Sequence, residues 1–136
     1  MFTRFNSGIN VAQASGMSPL TDFRDLDVWQ TAMDLAVSIL HAASSLPTDE
    51  RFGLAAQLRR AAVSIPSNIA EGYGRGSRPD YVRFLHIARG STNELATLLL
   101  LCERMGYLGN DRLETMLMTN SRVQAMLHRL IESLQR

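Results

Sequence analysis

Apolar residues recur every three or four positions in four separate stretches of the chain, and no stretch shows the strict alternation of a strand. In the first, Leu26, Trp29, Met33, Ala36, Leu40 and Ala43 make one helical face. Asp25 or Asp27 stands at its start, where a carboxylate accepts from free backbone amides. Ser44-Ser-Leu-Pro47 stops it, because the residue before a proline is pushed out of the helical region. The second stretch follows the capping oxygens of Thr48-Asp49-Glu50 and carries Ala55, Leu58, Ala62, Ile65 and Ile69 as far as Glu71. Pro66 lies inside it and removes one backbone donor, yet the apolar spacing resumes beyond it, so the expectation is one kinked helix. Ser64, Ser67 and Asn68 are placed to satisfy the freed groups, and Gly72 to serve as the left-handed C-terminal residue. The third opens on Ser77-Arg-Pro-Asp, a cap with proline in the first turn, and runs through Tyr81, Phe84, Ala88, Ser91, Leu95, Leu98, Cys102 and Met105. The fourth, after Gly106-Tyr-Leu-Gly-Asn-Asp, carries Leu113, Met116, Asn120, Val123, Leu127, Leu130 and Leu134.

Four long helices joined by three short loops predict an all-α fold, an up-down-up-down antiparallel four-helix bundle. Residues 1–22 hold Gly, Ser, Asn and Pro without periodicity and read as a flexible leader or a cloning remnant, leaving 23–136 as the bundle domain. At 136 residues the chain suffices for a single core. Two helices carry more apolar residues than such a core needs. Leu98, Leu99, Leu100 and Leu101 cover every side of the third helix, and Leu117 and Met118 add to the fourth. A wide core stripe with a few exposed leucines accounts for some of this excess. A second buried face against another subunit accounts for more, and predicts a homo-oligomer with those six residues at its interface.

The charge is segregated. All 14 cations are arginine, and the net charge is only +1. Residues 51–90 hold seven arginines against Glu71 and Asp80, a net of +5, whereas residues 1–50 come to −4 and residues 91–136 to zero. Arginine suits phosphate and base stacking, so Arg59, Arg60, Arg75, Arg78, Arg83 and Arg89 are the candidate nucleic-acid-binding residues.

Catalytic and metal motifs are weak. Gly72-Tyr-Gly-Arg-Gly has neither dinucleotide-loop spacing nor the Gly-Lys-Ser/Thr of a P-loop. His41, His86 and His128 fall on different helices, without neighbours at zinc-ligand spacing, so no metal and no cofactor is expected. Cys102 on an apolar stripe reads as an inert buried thiol with no base beside it. Asn120 reads as a core amide that fixes register. The expectation is a protein that is not an enzyme. No run of 18 apolar residues predicts a transmembrane helix, and no basic segment with an apolar core predicts a secretory signal. With one cysteine, the expected compartment is a bacterial-type, reducing cytoplasm.

The string Ser64-Ile-Pro-Ser-Asn-Ile-Ala-Glu-Gly72, then Tyr-Gly-Arg75, then Tyr81-x-x-Phe84-Leu-x-x-Ala88-Arg-Gly-Ser91-x-x-Glu94-Leu95, resembles one family closely. It is similar to the four-helix-bundle proteins encoded by intervening sequences in bacterial large-subunit ribosomal RNA genes, which are related to the accessory variability determinant (Avd) proteins of diversity-generating retroelements. The likeness runs from about Phe23 to Ile131. It implies a ring-like homopentamer and, for the Avd branch, a basic surface engaging nucleic acid and a reverse transcriptase. It implies no catalytic residues. The near-neutral charge departs from a dedicated nucleic-acid binder. Two readings of the motif stand. In one, its small residues let the second and third helices approach closely while Glu71 and Glu94 neutralise Arg75 or Arg89. In the other, Arg75, Arg78 and Arg83 project as a phosphate-binding rim. The expected partners are further copies of the chain, structured RNA or another nucleic acid, or, in an adaptor role, a protein such as a reverse transcriptase.

Overall fold

A computed structural model describes residues 22–136. The expected leader, apart from Asp22, lies outside the described residues. Asp22 caps a short 3-10 turn, Phe23–Asp25, by accepting from the Arg24 amide at 2.9 Å. Four α-helices follow: α1 (Asp27–Ser44), α2 (Leu54–Tyr73), α3 (Arg78–Arg104) and α4 (Asn110–Leu134), with a second 3-10 turn at Thr48–Glu50. Among the described residues there are no strands. The bundle is antiparallel. As α3 runs back from Asn93 to Arg89, these side chains meet first Gln124 and then His128 of α4. The α2–α3 interface is the most extensive and α1–α4 the least.

Helix ends are fixed by local chemistry. The N-cap of α1 is Leu26, which has no side-chain oxygen to offer, so the capping carboxylate falls earlier, at Asp22. For α2 the cap comes from Glu50, whose Oε1 accepts from the Leu54 amide at 3.1 Å. Its Oε2 accepts from the Tyr107 hydroxyl at 3.0 Å, tying the start of α2 to the α3–α4 loop. Ser77 caps α3 by accepting from the Asp80 amide, with Pro79 in the first turn.

Helix α2 passes through Pro66 without a break, and Pro66 itself is buried. Asn68 donates to the Ser64 carbonyl and hydroxyl, and Ser64 in turn meets the Ser91 hydroxyl on α3 at 2.8 Å. Gly72 departs from its expected role. It is helical, and the positive φ values belong to Gly76 and Gly106 instead. Its lack of a side chain serves packing: a Cβ there would stand 2.8 Å from Phe84 Cβ and 3.2 Å from the Tyr81 carbonyl.

The stripes expected for α2 and α4 face the core, as does that of α3 from Ala88 to Cys102; Tyr81 packs on the edge of the core, Phe84 is half-buried outside it with Leu85 inside instead, and Met105 is exposed. The expectation for α1 holds for Leu26, Ala36 and Ala43, which are buried, and is corrected for the rest. Val28, Ala32, Leu35, Ile39 and Ala42 are buried, whereas Met33 and Leu40 are exposed and Trp29 half-buried. Asn120 is buried in the bundle and donates to the Thr92 carbonyl at 2.9 Å, linking α4 to α3.

Candidate functional site

Three of the six candidate arginines come together at the α2–α3 turn. Arg75 lies in the turn, Arg78 opens α3, and Arg83 sits one turn further on. The guanidiniums of Arg75 and Arg83 both lie over the Phe84 ring, at 5.4 and 4.5 Å from its centroid. Asp80 stands between them, 3.9 Å from Arg75 Nε and 3.7 Å from Arg83 Nε, and Glu71 lies 3.6 Å from Arg75. All of these groups are substantially exposed, so each ion pair contributes well under about 1 kcal/mol and serves mainly to orient the arginines. Arg78 is exposed and has no ion pair among the described residues. The cluster therefore presents one uncompensated guanidinium beside two that are braced by acids and a ring.

The other three arginines lie elsewhere. Arg60 is exposed, and Arg59 is half-buried among Pro47, Arg51 and Ala55 at the far end of α2. At 1.5 Å of rise per residue that is about 20 Å from the turn. Arg89 faces α4, donating to His86 Nδ1 at 3.2 Å and His128 Nδ1 at 3.5 Å. Six arginines in one surface is thus corrected to three, because an antiparallel hairpin sends the start of α2 away from the turn. Glu71 does pair with Arg75, whereas Arg89 engages the two imidazoles instead of Glu94.

The apolar excess also resolves into positions. Leu98 and Leu99 are in the core and so are unavailable to a partner, a correction that follows from four consecutive residues pointing to all sides of a helix. Leu100 and Leu101 are exposed, Leu117 is half-buried, and Met118 is 73% exposed. An apolar surface that sequence reasoning missed lies between α1 and α2. It is an open groove of about 370 Å³ whose walls include Trp29, Met33, Val37 and Leu40 from α1 and Val63 and Pro66 from α2. Phe23 packs edge-on against Trp29 at 5.2 Å and closes one end. The signal was present in the sequence: Met33, Val37 and Leu40 continue the 3-and-4 spacing beside the true core stripe.

The catalytic candidates are quiet. Cys102 is fully buried, and burial pushes its thiol above the ordinary range. Tyr81, packed edge-on to Tyr73, has its phenol pushed well upward by burial. Among the described residues no three His, Cys, Asp or Glu side chains are grouped to hold a metal. No helix among the described residues is long and apolar enough to cross a membrane.

No curated protein matches this chain. A solved structure from Bacteroides thetaiotaomicron, described as a protein with unknown function from the S23 ribosomal protein family, superposes with a TM-score of 0.72 and 26% identity, covering 77% of this chain and 95% of that one. Residues 24–129, nearly the whole bundle, match the model of the 23S rRNA-intervening sequence protein family. A helical bundle matched over that length places the chain among its relatives: it belongs to the 23S rRNA-intervening sequence protein family.

Proposed function

We propose that this protein is a self-associating helical scaffold without catalytic activity, whose assembled form presents the Arg75–Arg78–Arg83 cluster to nucleic acid. The observation that carries self-association is the α1–α2 groove. Val37 at 50% and Val63 at 46% exposure leave its apolar walls open to water. Contiguous exposed apolar surface of this kind marks interaction sites in soluble proteins. The resemblance to the intervening-sequence family makes five the expected number of subunits. Support for a non-catalytic role comes from Cys102, sealed in the core, and from His86 and His128, both engaged by Arg89. Native mass spectrometry of the full chain purified from its own host tests the reading, since it reports subunit number and retained RNA or polypeptide together. A multiple of 15.1 kDa is expected. A bare single chain overturns the reading.

The nucleic-acid role rests on a separate observation, the three arginines held in one turn. One such cluster attracts phosphate weakly, but copies repeated around an assembly gain from multivalency. Binding through phosphate is expected to be largely independent of sequence and to weaken steeply with salt. Labelled structured RNA titrated at two salt concentrations against wild type and the Arg75→Glu/Arg78→Glu variant tests it. Loss of binding in the variant supports the cluster. Wild type that fails to bind at low salt leaves the adaptor role, in which the scaffold binds a protein such as a reverse transcriptase.

A further inference from the structure

Gly90 has no explanation within the protomer. It lies in the middle of α3, exposed and helical, and a Cβ built on it meets nothing within 4 Å. Glycine in an exposed helix interior is unfavourable relative to alanine, and here no internal contact offsets that loss. Gly72, by contrast, is fixed by Phe84 and Tyr81. A surface from outside the chain that approaches the α3 backbone at Gly90 supplies the missing reason.

The neighbours of Gly90 form a seam. Arg83, Ile87, Gly90, Glu94, Thr97 and Leu101 are all exposed and are spaced by four, three, four, three and four residues, the spacing of helix-on-helix packing. The inward seam of α3 is already occupied by the core. The outer one carries Ile87 and Leu101 with Gly90, Glu94 and Thr97 between them, and no element of the protomer covers it.

We infer that this outer seam of α3 packs into the α1–α2 groove of a second copy of the chain. The inference rests on the self-association proposed for the protein and names the two surfaces that meet. Their lengths agree: the groove runs about 17 Å along α1 from Trp29 to Leu40, and the seam about 21 Å from Ile87 to Leu101. Charge complements the fit: Arg60 is exposed on α2 beside the groove, Glu94 is exposed in the seam, and neither has an ion pair among the described residues. They lie at one level within a single chain, as the Ser64–Ser91 contact shows, yet they form no ion pair there, so a second copy supplies the partner of each. Glu71 and Arg83 are already engaged within the chain by Arg75 and Asp80 and stay with the turn cluster. Because seam and groove are different surfaces, the contact is head-to-tail, and each copy offers one of each.

The test uses charge reversal in the full chain, with the mass from light scattering across a dilution series and helicity and melting as checks on the protomer. Glu94→Arg and Arg60→Glu are each expected to weaken association at least tenfold with the fold retained. Gly90→Val, whose Cβ meets nothing in the protomer, is expected to do the same. The double variant Arg60→Glu/Glu94→Arg is expected to associate again, since the altered seam of each copy fits the altered groove of the next whatever the number of subunits. Charge variants that associate as wild type does overturn the contact, and so does Gly90→Val that leaves association unchanged. A double variant that stays dissociated while keeping its fold also overturns it. Wild type that is monomeric throughout removes the self-association reading itself, a distinct failure visible before any variant is made.

Discussion

Adding a methyl group at Gly72 is expected to destabilise the protomer, whereas the same change at Gly90 is expected to stabilise it. Both glycines are helical and have no positive φ, so alanine gains helix propensity of about 1 kcal/mol at either position. At Gly72 the new Cβ stands 2.8 Å from Phe84 Cβ and 3.1 Å from Tyr81 Cδ1, against an ordinary carbon–carbon contact of about 3.5–4.0 Å. Phe84 Cβ is one bond from the α3 backbone and cannot swing aside. Relief therefore requires α2 and α3 to separate locally, and overpacking of this kind costs about 1–3 kcal/mol. The net expectation is about 1 kcal/mol lost at Gly72 and about 1 kcal/mol gained at Gly90. At roughly 5 °C per kcal/mol for a domain of this size, the two variants should melt about 10 °C apart. Urea and thermal unfolding followed by circular dichroism, over a dilution series that reaches the protomer, measures this. A Gly72→Ala chain as stable as Gly90→Ala would refute the claim that close α2–α3 approach fixes the glycine.

Other consequences concern buried groups. Tyr81→Phe is expected to be neutral or to stabilise by up to about 1 kcal/mol, because the buried hydroxyl has no hydrogen-bond partner among the described residues. The phenol of Tyr81 is raised by burial, so its contribution is whole below the ordinary tyrosine pKa of about 10 and is lost progressively as pH rises above it. Stability curves between pH 9 and 12 should therefore fall less steeply for Tyr81→Phe than for wild type. Asn120→Asp, which removes the bond to the Thr92 carbonyl and places a carboxylate in the bundle, is expected to cost about 3 kcal/mol by urea unfolding. Cys102 should resist a thiol reagent in the native protein and react once per chain when urea opens the bundle, since burial both shields the thiol and raises its pKa.

Much of the fold was legible because 3-and-4 spacing reports helices and their faces directly. In α2 and α4 only one apolar stripe is continuous, and it is the one that is buried. Helix α1 carries two. Val28, Ala32, Leu35 and Ile39 keep the same rhythm as Trp29, Met33, Val37 and Leu40, and spacing alone does not say which turns inward. The arginine surface was overestimated for a related reason: charge counted along the chain ignores the hairpin that carries Arg59 and Arg60 to the opposite end from Arg75. Of the Leu98–Leu101 run, Leu98 and Leu99 turn into the core and Leu100 and Leu101 face outward, since steps of 100° carry consecutive residues to different sides of a helix. The roles of Gly72 and Gly90 depend on what lies across the helix from each, and only coordinates supply that.

The central claim is that the open apolar surfaces of this bundle are covered by further copies of the chain. Size-exclusion chromatography coupled to light scattering on the native full-length protein, from low micromolar concentration upward, tests it most directly. A mass that is a whole-number multiple of 15.1 kDa, falling only on dilution, is the predicted result. A constant 15.1 kDa at every concentration would contradict it.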